Sequence, residues 1–193
     1  MNPVPHTWRG VVNRYNQAPE EIKSYFEAIP DLIEGYVWEV SLAFMFTRVE
    51  KAMNRMLYCG VVKLHKANST TASTMVNNHH MTRREFKRLF SNVFGTDVPK
   101  ELNDILAEAE KVRNKVVHGK DTTDAEMRTA IVRLLEYAEG MNALVNREAG
   151  FTPFSADLRG FAGAAERLDA STTSWLMKGL GFEKRAAIDA DIN

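Results

Sequence analysis

Residues 99–119 read PKELNDILAEAEKVRNKVVHG, from Pro99 to Gly119, and this stretch decides the fold class. Leu102, Ile105, Leu106, Ala109, Val112 and Val116 recur at a spacing near 3.6 residues, which places them on one face of an α-helix. Proline is accepted at a helix start and glycine readily ends one, so Pro99 and Gly119 mark both boundaries. An apolar stripe needs an apolar partner. One follows directly: after the polar turn Lys120–Asp124, residues Met127, Ile131, Leu134, Ala138, Met141 and Val145 hold helical register to about Arg147.

The same signals recur on either side. Thr82 is placed to cap a helix from Arg83 to about Phe94, with Glu85 third after the cap, Phe86, Leu89, Phe90 and Val93 facing inward, and Gly95 as its stop. Further back, Asp31 is expected to cap a long helix reaching about Lys66. Leu32, Ile33, Val37, Val40 and Phe44 form one apolar stripe on it, and Leu42, Phe46, Val49, Met53, Met56 and Gly60 form a second. A helix apolar on two sides has to be covered twice, by its own core or by a second copy of the chain. A short helix from Pro19 to about Ile29, with Glu20 and Glu21 at its positive end, is expected to stop at Pro30. Asn68–Asn78, rich in Ser, Thr and Asn, reads as a loop. Ser155–Leu168 suggests irregular or short helical structure, and Asp169–Gly179 a last capped helix before a polar tail from Glu183 to Asn193. No segment shows a clear strand pattern. The expected fold is all-α: a bundle of four to five helices over residues 1–150, with a C-terminal helical extension, 151–193, packing on the bundle or on a partner.

Composition narrows the function classes. With 193 residues, 45% of them hydrophobic and 26% charged, the chain can bury an ordinary globular core. The first ten residues lack a signal-peptide core, and Val37–Phe46, the most apolar run, falls short of the roughly 20 residues a membrane span needs. Cys59 is the single cysteine, so no intrachain disulfide or thiolate metal cluster can form; a cytoplasmic location is expected. His79-His80 lack a second ligand pair at metal-binding spacing, and there is no glycine-rich phosphate loop, so neither metal nor cofactor is expected. Tyr36, Trp38, Phe44 and Phe46 read as core or interface residues.

Net charge is zero, but its distribution is uneven. Residues 1–47 hold 3 Lys/Arg against 6 Asp/Glu, residues 48–120 hold 14 against 7, and residues 121–193 hold 8 against 12. The basic middle can attract phosphate through its near field. Arg83, Arg84 and Lys87, together with Arg88, give one helix a basic face suited to an RNA backbone, or simply to solvent.

The end of the 99–119 helix departs from plain amphipathicity: Arg113, Asn114 and His118 cluster before Gly119, flanked by Lys115 and Lys120. Asn114 and His118, four residues apart, share a helix face, so the amide can orient the imidazole. Arg113 lies one position round the helix and has the reach to join them. The competing arrangement pairs Arg113 with Glu110 or Asp121 and leaves His118 as a helix cap.

Arg113-Asn114-Lys115-Val116-Val117-His118, at a helix end in a helical chain, resembles the ribonuclease motif of the HEPN superfamily: an arginine, four to six intervening residues beginning with a polar one, and a histidine. The likeness extends over roughly Asp31–Arg147. It implies a metal-independent endoribonuclease that cleaves RNA by attack of the ribose 2′-hydroxyl. By their charge alone Lys115, Lys120, Arg83, Arg84 and Lys87 are candidate RNA contacts; in the likeness His118 would be general acid or base, Arg113 would stabilise charge on phosphorus, and Asn114 would position. It further implies a homodimer with a composite active site, and a toxin or effector role in a prokaryotic defence or toxin-antitoxin system, with an antitoxin or regulatory protein as a possible partner. Other members of the superfamily keep the fold without cleaving, which leaves a silent module that binds a protein or RNA as the alternative.

Overall fold

The computed structural model describes residues 5–35, 37–79, 81–157 and 167–182, and among these the chain is helical with no strand. The helices are α1 (Trp8–Asn16), α2 (Glu20–Tyr25), α3 (Ile29–Gly35), α4 (Trp38–Leu64), α5 (Ser69–Asn78), α6 (Arg83–Phe94), α7 (Lys100–Val117), α8 (Asp124–Ala149) and α9 (Ala170–Gly179). They belong to two compact units, one of residues 1–53 and 98–159, the other of residues 54–97 and 160–193, so the 1–150 stretch contributes to both.

The first unit is built on α7 and α8. Lys115 meets Glu126, Glu108 meets Arg133, and Leu102 lies against Gly140, a sequence of pairs that runs in opposite directions along the two helices and makes them an antiparallel hairpin. Gly140 leaves room for the Leu102 side chain, whose end would have to shift if a Cβ stood there. The α8 stripe read from sequence is buried, from Met127 through Val145. Arg14 of α1 reaches Glu139 of α8 through two hydrogen bonds of 3.0 and 2.6 Å. Arg48 of α4 donates to the Tyr25 carbonyl at 3.0 Å and lies over the Tyr25 ring, while the Tyr25 hydroxyl donates to the Arg48 carbonyl at 2.9 Å. After α8 the chain turns back, and Asn142 closes it down: its amide donates to the Phe154 carbonyl and accepts from the Phe154 N–H.

The second unit holds the end of α4 with α5, α6 and α9. Gly60 lets α4 approach α6 closely, since a Cβ there would stand 2.6 Å from Val93 and 2.8 Å from Phe94. Asn68 caps α5 by accepting from the Thr71 N–H, and its own N–H donates to the Thr173 hydroxyl of α9 at 2.8 Å. Cys59 is buried there, and burial pushes its thiol up to about 12, as suits an inert core residue.

Three expectations about the N-terminal half are corrected, and one helix is added to them. The helix expected from Asp31 to Lys66 is two helices: α3 ends at Gly35, a poor helix former, and α4 starts at Trp38, while Tyr36 lies outside the described residues. Pro30 does not stop a helix but stands in the first turn of α3, where its missing N–H costs nothing, and α2 has already ended at Tyr25. Asn68–Asn78 is a helix rather than a loop, because Ala72, Met75 and Val76 recur at helical spacing and are buried, which outweighs the polar composition around them. Trp8–Asn16 is a helix that the sequence reading left out, capped by Thr7. By contrast, α6 with its Thr82 cap, α7, α8 and α9 with its Asp169 cap lie where the periodicity put them. Most of Ser155–Leu168 and the tail from Glu183 lie outside the described residues.

Candidate functional site

The end of α7 is built by its glycine. Gly119 takes φ +61, which lets the Gly119 N–H donate to the Val116 carbonyl at 3.1 Å and the Lys120 N–H to the Lys115 carbonyl at 2.9 Å. His118 thereby becomes the last residue to follow the helix, its N–H donating to the Asn114 carbonyl at 3.1 Å. The space around Gly119 is open, so Gly119→Ala should cost only the left-handed backbone penalty, about 1–2 kcal/mol of unfolding free energy in urea titration. An unchanged midpoint would show that the cap does not hold the helix end.

Arg113 turns toward α4. Its guanidinium lies 5.5 Å from the Phe46 ring centre, Nη2 stands 3.6 Å from Glu50 Oε1, and Nη1 donates to Asn114 Oδ1 at 3.3 Å. The carboxylate beside it is Glu50 of α4, which the sequence reading did not name. The pair is open to water, with side-chain exposures of 37% for Arg113 and 54% for Glu50. An exposed pair of this kind is worth at most about 1 kcal/mol, so an incoming phosphate can displace the carboxylate. Beside it is a cleft of about 170 Å³ whose lining includes Glu39, Leu42, Phe46, Glu50, Arg113 and Val117.

His118 is exposed at the tip, and its side chain makes no hydrogen bond to another described residue. The imagined Asn114–His118 contact is not formed, since the asparagine oxygen faces Arg113 instead. Arg113 and His118 lie about 140° apart round the helix by spacing. Within one chain no hydrogen bond joins them, and His118 is not among the residues lining the cleft.

The remaining candidates divide. Lys115 is engaged by Glu126 at 2.7 Å, and Glu126 also completes the cap of α8, accepting from the Thr123 N–H at 2.9 Å. These partners, Lys115 first and then Thr123, hold the Glu126 carboxyl down to about 2. A carboxylate favoured in the folded state stabilises fully above its ordinary pKa of about 4.3 and loses that contribution as pH falls toward 2. Unfolding measured from pH 6 to 2 should thus show the parent more stable than Glu126→Gln at pH 6, the gap closing below about pH 4. A gap that stays constant with pH would refute the linkage. Lys120 is exposed. Arg83, Arg84 and Lys87 belong to α6 in the second unit, with Arg84 and Lys87 exposed and Arg83 half-buried. His79 ends α5, Nε2 3.6 Å from Glu85 and its ring edge-on to Phe182, while His80 lies outside the described residues. Among the described residues no cluster of three or more His, Cys, Asp or Glu is arranged to hold a metal, and no helix is long and apolar enough to cross a membrane.

Sequence reasoning missed Glu50 and Phe46 as neighbours of Arg113. No local signal could have found them, because they come from α4, more than sixty positions away in the chain. Comparison of the chain with protein-family models, curated proteins and solved structures gives no match.

Proposed function

We propose that the tip of α7 is the catalytic edge of a metal-independent endoribonuclease of the HEPN type, acting as a homodimer. The observation that carries this reading is the state of the two groups at that tip: an exposed imidazole with no hydrogen-bond partner among the described residues, and a half-exposed guanidinium held by a loose, solvated carboxylate, the Asn114 amide oxygen and the Phe46 ring. Groups committed to structure are normally buried and fully bonded. These two are open to a ligand.

In the reaction, the 2′-hydroxyl of the ribose loses its proton to a base and attacks the adjacent phosphorus. The bond to the 5′-oxygen breaks, and that oxygen takes up a proton, leaving a 2′,3′-cyclic phosphate and a free 5′-hydroxyl. His118 serves as the base or the acid, and Arg113 neutralises charge on the pentacoordinate phosphorus. Asn114 braces the guanidinium through the 3.3 Å hydrogen bond. The second proton carrier is His118 of another copy, which also answers why the two groups of one chain point to different sides. Val117, 65% exposed beside the cleft, and Val37 and Val40, 64% and 41% exposed at the start of α4, supply apolar surface for that second copy to cover. A toxin or effector role in prokaryotic defence, restrained by an antitoxin or regulatory protein, is the setting that fits such an activity.

The Glu50–Arg113 pair favours a second reading, a silent helical module in which the motif arginine serves an interface. Incubating the purified chain with unstructured RNA in EDTA separates the two. Fragments ending in cyclic phosphate are expected from the nuclease, and intact RNA from the module.

A further inference from the structure

The cleft beside Arg113 lies wholly within the first unit, between the side of α4 that carries Glu39 and Glu50 and the end of α7. Its volume of about 170 Å³ is below the roughly 300 Å³ at which sites for larger organic ligands begin, so it has room for one ring system. Leu42, Phe46, Val116 and Val117 line it with apolar carbon. Its polar groups are mostly acceptors. Glu39 and Glu50 are carboxylates, and Thr47 donates its hydroxyl proton to the Ala43 carbonyl at 3.0 Å, which leaves the oxygen to accept. Arg113 is the one cation in the lining, and it faces Glu50.

The two carboxylates differ. Glu50 is drawn to Arg113 at 3.6 Å, whereas Glu39 is exposed and makes no hydrogen bond or ion pair with another described residue. Eleven positions of α4 separate them, about 16 Å of helix rise, so they do not meet on one ligand atom. With two carboxylates against one guanidinium, the cleft has nothing to offer a phosphate beyond Arg113, and what it accepts there is a neutral ring that brings N–H donors. A nucleobase is such a ring. Guanine sets its N1–H and its N2 amine side by side on the Watson–Crick edge, which matches the two oxygens of one carboxylate. Uracil instead places a carbonyl oxygen on each side of its single N–H, and both would face the carboxylate charge.

We infer that this cleft is a base-recognition pocket that selects guanine beside the scissile linkage, with Glu39 as the specificity-determining acceptor. The phosphate stays at Arg113, and the base lies along the apolar carbon of the cleft with its donor edge toward Glu39. That a nucleotide is the occupant rests on the ribonuclease reading; that guanine is the base rests on the acceptors in the lining.

The test is isothermal titration calorimetry of the full chain, in EDTA, with guanosine 3′-monophosphate and with uridine 3′-monophosphate, neither of which has an internucleotide linkage to cut. The guanosine nucleotide should bind about 5-fold to 100-fold tighter, the discrimination that one good bidentate contact to a base edge gives. Glu39→Gln replaces one acceptor oxygen by an amine donor and should bring the two affinities level. Glu50→Gln removes the carboxylate that competes for Arg113 and should tighten both nucleotides alike. Glu39 is exposed, so circular dichroism should be unchanged by its replacement, and a ratio of two affinities within one chain does not respond to a small loss of stability. Equal affinities in the parent chain, or a guanosine preference that survives Glu39→Gln, overturn the proposal. So does agmatine binding more tightly than either nucleotide, which would make the cleft a seat for a partner protein's basic side chain. Cleavage of RNA by the parent chain is read separately. A guanosine preference that depends on Glu39, with RNA left intact, sinks only the nuclease reading, and cleavage that ignores guanine in parent and Glu39→Gln alike sinks only the base pocket.

Discussion

His118→Ala should lower RNA cleavage by about 100-fold to 10,000-fold, the usual worth of a positioned proton-transfer group. Arg113→Ala should fall in a similar range, since a donor aimed at developing negative charge contributes about 100-fold to 1,000-fold. His118 is exposed, so His118→Ala should lose no more than roughly 0.5 kcal/mol of stability, while Arg113→Ala, which removes an exposed ion pair and a ring contact, should lose about 1–2 kcal/mol. That separation makes the test clean, because an inactive but fully folded His118→Ala chain attributes the loss to chemistry. The measurement is the initial rate of fragment appearance from unstructured RNA in EDTA, with cyclic-phosphate ends verified by their resistance to a phosphatase. Mixing the two inactive variants adds a readout that a merely structural role would not move. In a composite site the heterodimer holds one Arg113 and one His118, so it should cleave faster than the His118→Ala homodimer, which has no proton carrier at all. Equal rates for the parent and both variants would remove the catalytic assignment altogether.

Phe154→Ala should cost about 3–5 kcal/mol of unfolding free energy, the range for truncating a buried aromatic. Phe154 is fully buried, with Tyr25 at 5.5 Å, Phe26 at 6.0 Å and Tyr137 at 6.2 Å between ring centres. It therefore pins the segment after α8 onto helices α2 and α8, and Asn142 bonds its backbone at both the N–H and the carbonyl. Its ring neighbours meet it edge-on or stacked, in rotamers set by close packing. Since a domain is typically stable by only about 5–15 kcal/mol, a loss of this size would consume roughly a fifth or more of the total. Urea unfolding followed by far-UV circular dichroism should show a clearly lower midpoint with a similar slope. A loss below about 1 kcal/mol would mean that the chain beyond Ala149 is an appendage to the first unit, not a part of its core.

The two predictions differ in how much of their basis could be read before the structure. Local periodicity with marked ends is visible in sequence because it needs only the geometry of one helix. That is why α6, α7, α8 and α9 were placed correctly, with Thr82, Gly95, Gly119 and Asp169 as their boundaries. Composition misled where it competed with periodicity, as at Ser69–Asn78, whose three apolar residues suffice to dock a helix that is otherwise polar. Phe154 stands in a short segment with no helical periodicity, and nothing near it in the chain announces the aromatic cluster it joins.

For the candidate site, sequence alone determined that Arg113, Asn114 and His118 share one helix end and that Gly119 shapes it, because hydrogen bonds within six consecutive residues dictate both. Tertiary structure alone decided where each side chain faces. It turned Arg113 onto Phe46 and Glu50, bound Lys115 to Glu126 and left His118 in solvent. The physical reason is that burial and ion pairing are settled by whichever distant segment packs alongside, and a one-dimensional pattern specifies which face is apolar without specifying what will cover it.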